Sequence, residues 1–285
     1  MMRVQRENDA VGCFLEDFDA RAATVIEIET CRRLLSKHGV LFLRDQTWTC
    51  DDHIRFARQF GSIAINRFFT PVPGHPEIAQ VVTEPDQPWV IGENWHTDHS
   101  YDMAPAMGSI LYAVQTPPIG GDTCFAGMQA AYDALDTPLK SRLNGLKARH
   151  ESAHIFAPSE AQRNAEADSR KDSEYLVRAS QYPEAVHPVV LAHPVTGRKG
   201  LYVNPEFTTA IIGLDKMDSD ALLAQLFDHI LDPRFLFRFN WQPGSVAIWD
   251  NRSTWHRAMN DYQGHRRHMH RITIEGVPLS RQDAC

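Results

Sequence analysis

A chain of 285 residues, 43% hydrophobic and 23% charged, has the composition of an ordinary globular protein long enough to bury a sizeable core. Its net charge of −7, with acidic and basic residues interspersed, argues against nucleic acid or an anionic membrane as the main partner, since both call for a basic face. The cysteines Cys13, Cys31, Cys50, Cys124 and Cys285 are scattered and form no C-x-x-C pair, and no stretch approaches the roughly 18 apolar residues of a membrane span, so a reducing cytoplasm is the default setting.

An amphipathic stretch carrying Ile26, Ile28, Leu34 and Leu35 predicts a first helix that ends near His38-Gly39, followed by a short apolar strand at Val40-Leu41-Phe42-Leu43. Asp51 or Asp52 is placed to cap a second helix through Ile54, Phe56, Ala57 and Phe60, closed by Gly61. These elements make a helical N-terminal part over about residues 20–60. From about residue 62 the text becomes strand-like, with runs such as Ile78-Ala79-Gln80-Val81-Val82. Helical spacing returns from Gln129 to Ala148, inside a helical or lid insertion over about 127–180 whose charged segment Glu160–Glu174 reads as an exposed helix or loop. The stretches Phe235–Trp241 and Arg267–Ile274 alternate and predict half-buried strands. No composition shift marks a boundary, so the expectation is one domain over residues 1–285, mainly β, a sandwich or barrel with peripheral helices.

Three motifs carry chemistry. In Asn94-Trp95-His96-Thr97-Asp98, residues i and i+2 of a strand share a face, so His96 and Asp98 can reach one metal; alone, an H-x-D is common by chance in a chain with 14 histidines. Far downstream, after the strand Val246–Asn251, His256 completes two imidazoles and a carboxylate, a set that leaves metal positions open and suits Fe(II). In the third motif, alternation puts Arg267, Met269 and Arg271 on one face of a strand, where two guanidinium groups call for anions. His265, His268 and His270 suggest a zinc cluster, but alternation turns His268 and His270 away from that face.

Together these residues resemble the taurine dioxygenase (TauD/TfdA) family of Fe(II)/2-oxoglutarate dioxygenases. The resemblance extends through Phe60-Gly61, Gly120-Gly121-Asp122-Thr123, Leu191-Ala192-His193-Pro194, Phe207-Thr208-Thr209 and Trp249-Asp250-Asn251-Arg252, in order over roughly residues 35–275. It implies a double-stranded β-helix (jelly roll, cupin-like) with Fe(II) as cofactor and 2-oxoglutarate and O₂ as co-substrates. It also implies His96, Asp98 and His256 as iron ligands, and Thr123 and Arg267 as the clamp on the distal 2-oxoglutarate carboxylate. Arg271 falls at the position that binds the substrate's anionic group, Phe207 and Phe156 at aromatic pocket positions, and Asn94 is a further substrate-binding candidate. The implied reaction is oxidation of a small anionic substrate, a sulfonate or carboxylate, with release of succinate and CO₂. In taurine-oxidising members a histidine follows the Phe-Gly pair, whereas Ser62–Phe69 holds none, and Gly92 stands where they carry Asn. The alternatives are a zinc hydrolase on the same ligands and a non-catalytic jelly-roll binding protein. A homo-oligomer, dimer or tetramer, is left open.

Overall fold

The computed structural model describes residues 2–66, 69–156 and 183–279, so the charged segment Glu160–Glu174 lies outside the described residues. The chain opens with strands β1 (Arg3–Gln5) and β2 (Cys13–Glu16), helix α1 (Val25–His38), strand β3 (Val40–Leu43) and helix α2 (Cys50–Ala57). Strands β4 (Ile63–Ala64), β5 (Pro71–Val72), β6 (His75–Thr83) and β7 (Gly108–Gln115) follow, then β8 (Thr123–Gly127), which leads into helices α3 (Met128–Asp133) and α4 (Thr137–Leu143). Next come β9 (Lys147–Glu151), α5 (Ala153–Phe156), β10 (Glu184–Pro188), β11 (Val190–Ala192), β12 (Lys199–Leu201), β13 (Thr208–Ile211) and the long helix α6 (Lys216–Ile230). The last strands are β14 (Leu236–Phe239), β15 (Val246–Asp250), β16 (Thr254–Ala258) and β17 (Arg267–Ile274).

Local chemistry sets the helix ends. Thr24 caps α1 in a reciprocal box with Glu27, and Gly39, at φ +76°, closes it by bonding back to Leu35. Ile28, Cys31 and Leu35 are buried, whereas Ile26 stands exposed in the first turn. The cap of α2 is Thr49 rather than Asp51 or Asp52, with Asp52 as its box partner, and the helix stops at Ala57, short of Gly61. The expected helical run 129–148 is broken: α3 ends at Asp133, Asp136 caps a separate α4, and Lys147 and Ala148 already belong to β9. An Asp cap followed by Pro138 starts a new helix more readily than it continues an old one.

The large sheet runs β1-β2-β3-β15-β7-β17-β6-β5, with β4 paired to β17, and the small sheet runs β14-β8-β16. Neither closes on itself; they face each other as a jelly roll. Strand β3 shows why the layers hold. Val40 and Phe42 point into the space between the sheets, where Phe42 stacks on Phe239 with centroids 4.3 Å apart and meets Phe125 at 5.6 Å. Leu41 and Leu43 point the other way, into the apolar layer shared with α1 and α2. A third apolar layer packs α3 and α6 behind β8 and β16. The functional residues sit at one end of the inner space, where β7, β15 and β17 of the large sheet meet β8 and β16 of the small one. No helix among the described residues is long and apolar enough to cross a membrane.

Candidate metal centre and co-substrate pocket

His96 and His256 are brought together by their backbones. Each donates its N–H to the other's carbonyl, at 3.1 and 2.9 Å, which sets the two imidazoles side by side with centroids 4.2 Å apart. His256 belongs to β16, but His96 occupies a single bridge and Asp98 opens a turn, so the strand alternation expected for the pair does not exist. The turn does the work instead, with Thr97 Oγ1 bonding Thr254 O at 3.1 Å and His99 taking φ +57°. One ligand atom from each of His96, Asp98 and His256 lies within 4.8 Å of the others, and all three residues are buried.

The hairpin that delivers His256 is anchored by a buried ion network. Asp250 accepts from Arg252 Nε at 2.8 Å and Nη2 at 2.6 Å, and its Oδ2 is 3.0 Å from His193 Nε2. Burial opposes ionisation of Asp250, but Arg252 and His193 outweigh it and hold the carboxyl well below the usual carboxylate range. Because its folded value is depressed, the stability it contributes is present above the ordinary carboxylate range and is lost as pH falls. Asp250→Ala is expected to cost about 3–5 kcal/mol by leaving Arg252 buried and unpaired, as read by denaturant unfolding at neutral pH. A loss below about 1 kcal/mol would show that the network anchors nothing.

The donor set fits a divalent metal. Burial, with His96 and Arg271 nearby, pushes His256 well below the ordinary imidazole value, which keeps it in the neutral form that ligates. Burial also disfavours the Asp98 carboxylate, yet Arg271 and the two imidazoles hold it well below the usual range. Its Oδ2 lies 2.6 Å from Arg271 Nη2, 3.3 Å from Trp249 Nε1 and 3.4 Å from Ser109 Oγ, so three donors orient the carboxylate. His96 Nε2 and His256 Nε2 each lie 3.6 Å from an Asp98 oxygen.

A second test concerns the co-substrate. Arg267 is 3% exposed, and its hydrogen bond is from Nε to Gly121 O at 3.1 Å; no described carboxylate pairs with it. Burial lowers its pKa, the mark of a guanidinium taken out of water without a counter-ion. Beside it Thr123 Oγ1 accepts from Trp241 Nε1 at 2.9 Å, which leaves its own O–H to donate. Both line one cavity with His96, His256, Trp249 and Arg271, and an anion there would satisfy what the protein does not. Gly121, at φ +70°, is required here, since an added Cβ would come 3.3 Å from Arg267 Cδ and closer still to Pro117.

The adjoining pocket is lined by Arg271, Phe207, Phe156, Tyr101, Trp89 and Ile91, among others. Phe207 packs edge-on against Tyr101 at 4.8 Å and lies 6.1 Å from Phe156. Asn94 is exposed and stands behind His96, its carbonyl 2.8 Å from His96 Nδ1, rather than in either lining set. Gly92 lines both pockets, and a Cβ there would come 3.1 Å from His96 Cε1. On β17, Arg267, Met269 and Arg271 share the inner face as alternation predicts, while His268 and His270 pack against each other at 5.0 Å. Sequence reasoning missed Ser109, Trp249, Tyr101 and Glu206. Of these, only Trp249 lay in a motif already singled out.

A jelly roll presenting two imidazoles and a carboxylate beside a buried arginine with no carboxylate partner among the described residues defines a mononuclear non-haem iron oxygenase. Residues 11–273 match the family model described as taurine catabolism dioxygenase TauD, TfdA family, and the chain belongs to that family, as an α-ketoglutarate-dependent dioxygenase. Its cofactor is Fe(II), with 2-oxoglutarate and O₂ as co-substrates. It is 34% identical over 284 residues to the α-ketoglutarate-dependent 2,4-dichlorophenoxyacetate dioxygenase of Cupriavidus pinatubonensis, covering 91% of this chain and 92% of that protein. It is 34% identical to the α-ketoglutarate-dependent sulfate ester dioxygenase of Pseudomonas putida over 264 residues, 92% of this chain and 84% of the relative. A crystal structure of a taurine dioxygenase from Burkholderia xenovorans superposes with a TM-score of 0.80 at 32% identity, covering 96% of this chain and 91% of that one. Neither the zinc hydrolase nor the non-catalytic binding protein finds support.

Proposed function

We propose that this dioxygenase hydroxylates a small organic anion, a carboxylate, sulfonate or sulfate ester with an apolar body. The observation that carries this reading is Arg271. Its Nε and Nη2 are engaged by Ser109 and Asp98, while Nη1 has no hydrogen-bond partner among the described residues, in a pocket that joins the apolar walls Phe207, Phe156, Tyr101, Trp89 and Ile91 to the polar groups of Asn66, His99 and Glu206. Two donors on an otherwise fixed guanidinium suit one end of a carboxylate or sulfonate. Relatives whose names specify 2,4-dichlorophenoxyacetate or sulfate esters agree with such a ligand.

In this reading His96, Asp98 and His256 hold Fe(II), and Arg267 with Thr123 holds the distal carboxylate of 2-oxoglutarate. Bound iron with these co-substrates supplies the oxidation, 2-oxoglutarate and O₂ becoming succinate and CO₂ while one oxygen atom enters a substrate C–H bond. Arg271 orients the anion, and the aromatic walls exclude water from the apolar body. If the oxidised carbon carries oxygen, sulfur or nitrogen, the hydroxylated product falls apart at that bond. Taurine fits poorly, because Ser62–Phe69 holds no histidine and Gly92 stands where taurine-oxidising members carry Asn. Succinate formation should be followed with 2,4-dichlorophenoxyacetate, hexyl sulfate, hexanesulfonate and taurine, comparing Arg271→Gln with the wild type. The expected result is a loss of about 10-fold or more in substrate-coupled turnover, with 2-oxoglutarate binding retained. A best substrate that is neutral or cationic, or indifference to Arg271→Gln, rejects the reading.

A further inference from the structure

The side of His96 that faces away from Asp98 carries a second carboxylate. Glu206 Oε2 lies 3.3 Å from His96 Nδ1, and the Glu206 side chain is 12% exposed. The same nitrogen is 2.8 Å from Asn94 O, and the Asn94 amide abuts Glu206. A neutral imidazole keeps one proton, and the groups around its two nitrogens decide which one. Nδ1 of His96 is hydrogen-bonded to the Asn94 carbonyl and has the Glu206 carboxylate 3.3 Å away, so carbonyl and charge both favour the proton there and Nε2 presents its lone pair beside Asp98. His256 is built differently. Its Nδ1 is buried with no hydrogen-bond partner among the described residues, and its ring is held by packing, with Trp249 at 4.6 Å and Phe125 at 6.3 Å.

Glu206 is delivered by a turn that the ligand loop itself helps to hold. Asn204 Oδ1 accepts from Phe207 N at 2.9 Å, Asn204 N donates to Thr208 Oγ1 at 2.8 Å, and Asn204 Nδ2 donates to Ser100 Oγ at 3.0 Å. Ser100 is two residues beyond Asp98, so one buried amide ties the loop bearing two ligands to the turn bearing Glu206. Phe207, next in the chain, meets the His96 ring edge-on at 6.4 Å. Ring plane, tautomer and local charge at His96 are thereby set from outside the triad.

We propose that Glu206 is a positioning residue for His96: its carboxylate fixes the Nδ1–H tautomer and strengthens Nε2 as a metal donor. This inference rests on the triad being the metal site. An outer carboxylate of this kind contributes about 10- to 100-fold to metal affinity. The test is the dissociation constant for Mn(II), measured anaerobically by calorimetry, together with the charge-transfer band of the Fe(II)–2-oxoglutarate complex. Glu206→Ala should weaken Mn(II) binding by about 10-fold or more, Glu206→Gln by less, and Glu206→Asp should recover part of the loss. The band should move to shorter wavelength in Glu206→Gln, because a weaker donor leaves the iron less electron-rich. The metal-free melting temperature should change little in Glu206→Gln, which separates this role from support of the fold. Mn(II) affinity within about twofold of wild type in Glu206→Ala, or an unmoved band in Glu206→Gln, overturns the proposal. His96→Ala is the control: if it too retains Mn(II), the triad assignment falls and this inference with it.

Discussion

His256→Ala is expected to abolish substrate-coupled succinate formation and to weaken iron binding by at least about 100-fold, with the fold of the metal-free protein retained. In the proposed site three protein groups would hold the metal, so losing one would remove a third of the ligand set, and the residue pair His96–Asp98 could not fix the metal's geometry alone. Retention of the fold follows from the environment of the ring. In the metal-free protein His256 is a buried imidazole whose Nδ1 has no partner among the described residues, and its removal relieves that unsatisfied atom while opening a cavity beside Trp249 and Phe125. The two effects oppose each other. The backbone bonds between residues 96 and 256 do not depend on the side chain and persist in the variant. His96→Ala should behave alike in activity. Iron content by metal analysis and succinate formation are the two readouts, and a variant that keeps iron and turns over like the wild type rejects the assignment.

Arg267→Ala should raise the apparent KM for 2-oxoglutarate about 10- to 100-fold, the scale of losing a charge-assisted bidentate contact. Thr123→Val should act in the same direction and more weakly, because it removes a single hydroxyl donor to the carboxylate and leaves the Arg267 charge in place. The reason for expecting so large an effect is the isolation of the guanidinium. Arg267 is buried, pairs with no described carboxylate, and stacks near Trp241 with its centre 5.8 Å from the ring. Most of the free energy it can release is therefore reserved for an anion that arrives from outside. If 2-oxoglutarate affinity survived Arg267→Ala but was lost in Arg271→Gln, the two arginines would have exchanged roles.

How much of this was legible without coordinates differs from element to element. The arrangement of Arg267, Met269 and Arg271 is readable because β6 pairs in register with Arg267–Arg271 and the register shift beside Met269 places the extra residue on β7, so alternation along β17 survives. The end of α1 at Gly39 was readable because a helix stop is a local matter of one residue at positive φ. The start of α2 was misplaced by two or three residues, since Thr49, Asp51 and Asp52 all have capping chemistry and only the backbone chooses among them. The His96–Asp98 spacing predicts a strand, whereas a turn brings these two candidate ligands together.

By itself, then, the sequence carried the family resemblance and with it the reaction class, the candidate ligand types and their order, and the two arginines on one strand face. Tertiary structure alone decided what surrounds them. Trp249 on Asp98, Trp241 on Thr123, and Glu206 on His96 come from strands and turns more than a hundred residues away in the chain, and Ser109 reaches Asp98 from the neighbouring strand β7. Ligand identity is written in local spacing because one metal demands particular donor atoms. The groups that orient those donors meet them only when the two sheets pack face to face, and no local pattern in the chain encodes that meeting.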